Sequence, residues 1–290
     1  MSAQSFDVVV IGAGPAGLKA AATVASAGLR VVAVDKMGPG GQLMNLGALQ
    51  GVPNLEPDAT GPDLLAEIAD RAMSAGAEIA IDDVSAVRFE GGYVIEAFEG
   101  PYMAAAVIVA SGLTPGTTGL ADEGRFDGTG ISHCAHCDAP LYAGKPVAVA
   151  GSDAWAVEEA IELAEHASAV ALIAPEAPTA TEHRLALLEE HGNVKVITGK
   201  IVALEGEGSL EGVVVKGSGG EMPVPANGLF LQVGRVPARG FLQEDAADSG
   251  GVFFAGDVRD GAARTITEAI ADGAKAGQNA IVWVRARKGT

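Results

Sequence analysis

Phe6-Asp7-Val8-Val9-Val10-Ile11-Gly12-Ala13-Gly14-Pro15-Ala16-Gly17 decides the architecture of this 290-residue chain. An apolar run of the kind that fills a buried parallel strand passes directly into a glycine turn, and an alanine-rich helix follows to about Ala27. The first glycine permits a tight turn and the second lets a pyrophosphate approach the backbone. The third lets the helix lie close on the sheet, with its N-terminus facing the phosphates. Val31-Val32-Ala33-Val34-Asp35 then closes the next strand with an acid at the distance expected for holding a ribose hydroxyl. Strand, glycine turn, helix, strand and acid in this order predict a dinucleotide-binding unit.

The layout recurs. Pro146-Val147-Ala148-Val149-Ala150 leads into Gly151-Ser152-Asp153-Ala154-Trp155-Ala156, a helix to about His166 and a strand from Ala169 to Ile173. Here Asp153 holds the position of the middle glycine, which sets a side chain and a negative charge where a pyrophosphate would sit. The next segment, Ala174-Pro175-Glu176-Ala177-Pro178, has no Arg or Lys to recognise a 2′-phosphate. The second unit therefore reads as a retained scaffold in preference to a working nicotinamide site.

Directly before it stands Cys134-Ala135-His136-Cys137-Asp138, with both cysteines of the chain. Tetrahedral zinc draws on two separated ligand pairs, and beside His133, Cys134, His136 and Cys137 there is no second Cys or His pair, so no metal is expected. Met1 runs almost at once into a strand, with no basic region and cleavage site, and a cytoplasmic protein is expected. In that compartment structural disulfides are rare, and Cys-x-x-Cys reads as a redox dithiol. The formal charge of −18 with scattered Lys and Arg argues against nucleic acid, and the short Arg285-Ala286-Arg287-Lys288 run reads as a solvated terminus. Apolar runs such as Met103 to Ala110 are far short of a membrane span.

Gly251-Val252-Phe253-Phe254-Ala255-Gly256-Asp257 forms another short strand before a helix from about Arg264 to Arg285, which makes Asp257 either a cofactor ligand or a helix N-cap. Trp155 and Trp283 are expected to pack, and Met37, Met44 and Met73 to fill gaps in the core.

Taken in order, the glycine motif at 12 to 17, Gly40-Gly41-Gln42-Leu43, Cys134 to Asp138, Val157-Glu158-Glu159-Ala160 and Gly256-Asp257 resemble the low-molecular-weight thioredoxin reductases. The stretch from Cys134 to Leu141 is also similar to the flavoprotein reductase of the alkyl hydroperoxide system. The resemblance implies an α/β fold of two Rossmann-like three-layer domains: a discontinuous FAD domain of 1–112 and 240–290, and an inserted dithiol domain, of pyridine-nucleotide-binding type, of 113–239. It implies that Gly12, Gly14, Pro15, Ala16 and Gly17 cradle the FAD pyrophosphate, that Asp35 holds the ribose, and that Gly41, Gln42 and Leu43 line the flavin. Lys36, Asn45, Gly256, Asp257, Arg264 and Thr265 belong to the same cofactor-binding set. Cys137 would meet the flavin, Cys134 would exchange with substrate, and Asp138 would serve as acid and base; on the residues alone, His133 and His136 are the candidates for lowering the thiol pKa. A homodimer acting on a thioredoxin-like protein is the implied assembly.

The chain departs from that family at Asp153, at Ala174-Pro175-Glu176 in place of His-Arg-Arg, at Arg264-Thr265 in place of Arg-Gln, at Ala139 in place of glycine, and in the short return from Gly240 to Gly251. The first two remove expected NADPH contacts. The expected function is thus FAD-dependent exchange between Cys134/Cys137 and an external dithiol or disulfide without efficient NADPH use. Ferredoxin or a reduced deazaflavin would be the donor, or oxygen the acceptor in a dithiol oxidase. The alternatives are a conventional NAD(P)H-dependent thioredoxin reductase and, from another class, a non-catalytic flavin-binding scaffold.

Overall fold

A computed structural model describes residues 3–47, 49, 52, 55–56, 58–120 and 122–288. The chain forms two compact units, Met1–Leu113 with Pro237–Thr290, and Thr114–Val236. The first begins with β1 (Gln4–Ile11), α1 (Pro15–Ser26), β2 (Val31–Asp35), α2 (Gly61–Ser74), β3 (Glu78–Ile81), β4 (Val84–Phe89), β5 (Tyr93–Ala97) and β6 (Tyr102–Val109). After β7 (Leu113–Pro115) the second unit runs through β8 (Ile131–Ser132), α3 (Ala135–Asp138), β9 (Pro146–Ala150), α4 (Ala154–Ala164), β10 (Ala169–Ala174), α5 (Glu182–Glu190) and β11 (Val194–Thr198). It continues with β12 (Lys200–Glu205), β13 (Gly212–Gly217), β14 (Gly220–Pro225) and β15 (Gly228–Leu231). After β16 (Arg235–Pro237) the first unit is completed by α6 (Glu244–Asp248), β17 (Val252–Phe254) and α7 (Ile266–Lys288).

Both units are Rossmann-like and three-layered, and both are built on one plan. In the first, β3-β2-β1-β6 lie parallel in that order. The far edge of β6 is shared: Tyr102 to Ala104 pair antiparallel with β5, and Val107 to Val109 pair parallel with β17. Successive residues of β1 point to opposite faces. Val8 and Val10 meet α1, α2 and α7 in one core, whereas Val9 and Ile11 meet Tyr93 and Ile95 in another. In the second unit the parallel order is β11-β10-β9-β15-β8. Val147 and Val149 face α4, and Ala148 and Ala150 face the antiparallel sheet β12-β13-β14.

Small residues set how closely α7 lies on α1. A Cβ on Gly273 would stand 2.1 Å from the Ala16 carbonyl oxygen, and one on Gly277 would stand 3.0 Å from that of Ala20. Gly273→Ala would gain about 1 kcal/mol of helix propensity, but its methyl meets backbone that has no room to give. Overpacking of that kind costs about 1–3 kcal/mol or more. The substitution is expected to be net destabilising, by about 1–2 kcal/mol, read as a lower urea midpoint at unchanged slope.

Two expectations need correction. Met37, Met44 and Met73 do not fill the core: they are 85%, 50% and 50% exposed. Of the two tryptophans, Trp283 is part-buried against Phe253 and donates to the Ala105 carbonyl, whereas Trp155 is half exposed under the Arg235 guanidinium. The basic run at 285 to 288 is exposed, as a solvated terminus should be, and forms the last turn of α7. There Arg285 donates to the Ala27 carbonyl and Lys288 pairs with Asp7 at 2.6 Å, cations at the helix end where the dipole favours them.

Candidate active site

In the first unit the glycine turn is fixed by backbone contact. Gly12 has φ +102°, and a Cβ there would stand 2.4 Å from the Ala110 carbonyl oxygen; a Cβ on Gly17 would stand 1.9 Å from that of Gly12. Gly14 differs. Among the described residues beyond its chain neighbours, the nearest atom to its Cβ position is 3.9 Å away, and it starts α1 with no side-chain cap, followed by Pro15, which has no N–H. The first turn of α1 thus keeps donors that no side chain satisfies.

Those donors border a cavity of about 190 Å³ lined by Gly12, Gly14, Pro15, Ala16, Asp35, Gly41, Gln42, Leu43, Gly256, Asp257, Arg264 and Thr265. Asp35 spans the turn: Oδ2 accepts the Ala13 N–H at 2.8 Å and Oδ1 the Met37 N–H at 3.0 Å, which leaves each oxygen acceptor capacity for a ligand hydroxyl. Gln42 Nε2 donates to Asp257 Oδ2 at 3.2 Å, joining two motifs far apart in the chain. Asp257 is therefore no cap for α7; Thr265 takes that place, its hydroxyl accepting the Glu268 N–H. Arg264, at φ +55°, is the one non-glycine residue with positive φ among the described residues, and backbone strain of that kind gathers at ligand sites. Gly17 lies beneath the turn, outside the lining. Lys36 is turned into an ion pair with Asp83 at 2.9 Å. The side chain of Asn45 lies outside the described residues.

Ala110, Ser111 and Gly112 also line this cavity and were missed by the sequence reading, which saw only a link at Gly112. The available signal was their position at the C-terminal end of a parallel strand, where α/β sheets hold ligands.

In the second unit Cys134 and Cys137 form a disulfide, with Cys134 part-buried and Cys137 exposed. The Cys137 N–H donates to Cys134 Sγ at 3.2 Å. Ser132, which is buried, donates its hydroxyl to Asp138 Oδ2 at 2.7 Å and accepts the Cys134 N–H at 3.2 Å, so the acid and the cysteine share one anchor. His136 points outward: its side chain is 91% exposed and lies 3.8 Å from Glu162. Glu159 on α4 accepts the Ala135 N–H at 2.5 Å, and burial pushes its carboxyl above the usual range against the pull of that bond. Ser132 and Glu159 were given no role from sequence, although Glu159 stood in a quoted motif. Among the described residues no group of three or more His, Cys, Asp or Glu is placed to hold a metal ion, and no helix is long and apolar enough to cross a membrane.

The glycine turn of this unit is closed. Gly151 remains necessary, since a Cβ would stand 2.3 Å from the Gln232 carbonyl oxygen. Asp153 is the N-cap of α4 and its Oδ1 accepts the Ala156 N–H at 3.0 Å. A cavity of about 410 Å³ lies beside it, bordered by Thr117, Thr118, Ser152, Asp153, Lys200 and Gln232. Lys200 is the one cation in its lining, and the cap carboxylate faces it with negative charge.

The family model described as pyridine nucleotide-disulphide oxidoreductase matches residues 6–273. A thioredoxin reductase of Listeria monocytogenes is 31% identical, over 98% of this chain and 95% of the relative. Among solved structures, the thioredoxin reductase of Lactococcus lactis superposes with a TM-score of 0.77 at 27% identity, over 96% of this chain and 99% of the other. That of T. acidophilum gives 0.71 at 28% identity, over 99% and 100%.

Proposed function

Because the chain belongs to the pyridine nucleotide-disulphide oxidoreductase family, as a thioredoxin-reductase-like, flavin-dependent disulfide oxidoreductase, we propose that it passes two electrons between FAD, the Cys134–Cys137 pair and an external dithiol or disulfide, without drawing efficiently on NADPH. The observation that carries the second half is a contrast within one molecule. Gly14 leaves the start of α1 open to an anion, and Asp153 closes the start of α4 with its own carboxylate.

In this reading Gly12, Gly14 and Ala16 cradle the FAD pyrophosphate at α1, Asp35 holds the ribose, and Gln42 with Asp257 borders the flavin. FAD, when bound, supplies a reversible store for an electron pair. At the dithiol, an incoming thiolate attacks one sulfur, the Cys134–Cys137 bond breaks, and the mixed disulfide is resolved by the partner's second thiol. We assign Cys134 as the exchanging sulfur, because the Cys137 N–H aimed at it steadies a thiolate. Asp138, oriented by Ser132, exchanges the proton with the other sulfur.

The relatives' name supports a thioredoxin-like protein as the disulfide partner; a homodimer working in the reducing cytosol completes the proposal. Electrons would enter from ferredoxin or a reduced deazaflavin, or leave to oxygen. The charge of −18 weighs against docking an acidic ferredoxin. A conventional NADPH-dependent reductase is the second reading, favoured by the 410 Å³ cavity and its Lys200.

Anaerobic titration of the yellow protein separates the two. A small dithiol is expected to bleach the flavin stoichiometrically, while NADPH and NADH leave it coloured over the same minutes. Rapid bleaching by either nicotinamide would return the chain to the conventional reading.

A further inference from the structure

We infer that Glu159 is a positioning residue that tunes the Cys134–Cys137 couple: its carboxylate holds the loop of the disulfide through the Ala135 N–H and opposes, by its charge, the thiolate formed on reduction. The inference rests on that pair being the redox centre. The Ala135 nitrogen belongs to the peptide that joins it to Cys134, so the carboxylate oxygen 2.5 Å away stands against the backbone of the cysteine itself. Gln232 braces the same place from the other side. Its amide donates to the His133 carbonyl at 3.3 Å.

Two electrons and one proton convert the disulfide to one thiol and one thiolate. With a small dithiol as reductant, that dithiol loses two electrons and two protons, becomes its own cyclic disulfide, and releases the second proton to solvent. The new thiolate is a second negative charge beside a carboxylate that burial already disfavours and that Glu162 repels, with Arg235 drawing it the other way. Neighbouring like charges raise the free energy of the reduced form, so the carboxylate shifts the couple toward the disulfide. A purely mechanical brace would not depend on the charge.

The full-length flavoprotein is equilibrated with mixtures of reduced and oxidised dithiothreitol at mildly alkaline pH, quenched in acid, and its alkylated thiols are counted. Glu159→Gln and Glu159→Ala are each expected to shift the equilibrium toward the dithiol by about tenfold, equal to about 30 mV for a two-electron couple. Glu159→Asp keeps the charge and is expected to stay within about twofold of the parent, given the strength of the Coulomb effect. Unchanged or lowered potentials in both neutral variants, or an Asp variant that moves as far as the Gln variant, would overturn the inference. A native parent whose disulfide no mixture reduces, while the denatured chain reduces freely, would instead remove the redox reading on which it rests.

Discussion

Gly14→Asp is expected to yield a folded, colourless protein. The new side chain enters open space, since among the described residues beyond its chain neighbours only the Gly40 carbonyl comes within 4 Å of its Cβ, at 3.9 Å. It adopts the arrangement already present at Asp153, capping the helix and placing a carboxylate against the pyrophosphate. Charge repulsion in a partly enclosed site is worth several kcal/mol, so FAD affinity should fall by about a hundredfold or more. Flavin absorbance after desalting reads the loss, and circular dichroism shows the fold retained. The reciprocal Asp153→Gly removes the cap, at a stability cost of a few tenths of a kcal/mol, and is expected to improve NADPH-driven bleaching. A yellow Gly14→Asp protein with parental FAD affinity would refute the proposed cofactor cradle.

Cys137→Ser should abolish disulfide turnover, by a factor on the order of a thousand or more, the scale of losing a group that acts as part of a unit. With one sulfur gone, the Cys134 thiolate still attacks an incoming disulfide, forming a mixed disulfide and releasing the other half as a thiol, but no intramolecular partner resolves it. The variant is expected to trap that adduct, visible as a mass increase of one thiol, and to keep its yellow colour because both cysteines lie outside the unit that holds the proposed FAD cradle. Undiminished turnover would refute Cys134 and Cys137 as the catalytic pair.

What the sequence displayed well was local. The strand–glycine–helix order at 6 to 17 and at 146 to 156 reports itself through periodicity and through glycines that the backbone demands, as the 1.9 Å approach at Gly17 shows. Both units accordingly have the expected Rossmann-like class. What it displayed poorly was pairing across distance. Spacing put an acid at Asp35 but not its two bonds to the Ala13 and Met37 N–H groups. Nothing in either motif announces that Gln42 meets Asp257. Glu159 sits on a helix whose period fixes which residues share a face but not that this face meets the cysteine loop. Exposure was misread for Met37 and Trp155, since an apolar side chain says nothing by itself about whether a neighbour covers it.

The contact of α7 with α1 has a consequence for how the molecule is made. During synthesis the first glycine turn leaves the ribosome early, yet the helix that covers it and the strand that extends β6 are encoded after the whole inserted unit. Residues 114–236 have all their own sheet and helix partners before Ile266 is translated, so they can fold first. The N-terminal segment must wait with one face of α1 uncovered, where Ala16, Ala20 and Thr23 will later receive Gly273 and Gly277. Ribosome-bound chains halted before Ile266 should therefore protect the dithiol unit from protease and fail to retain flavin, and the colour should arrive only with the last helix.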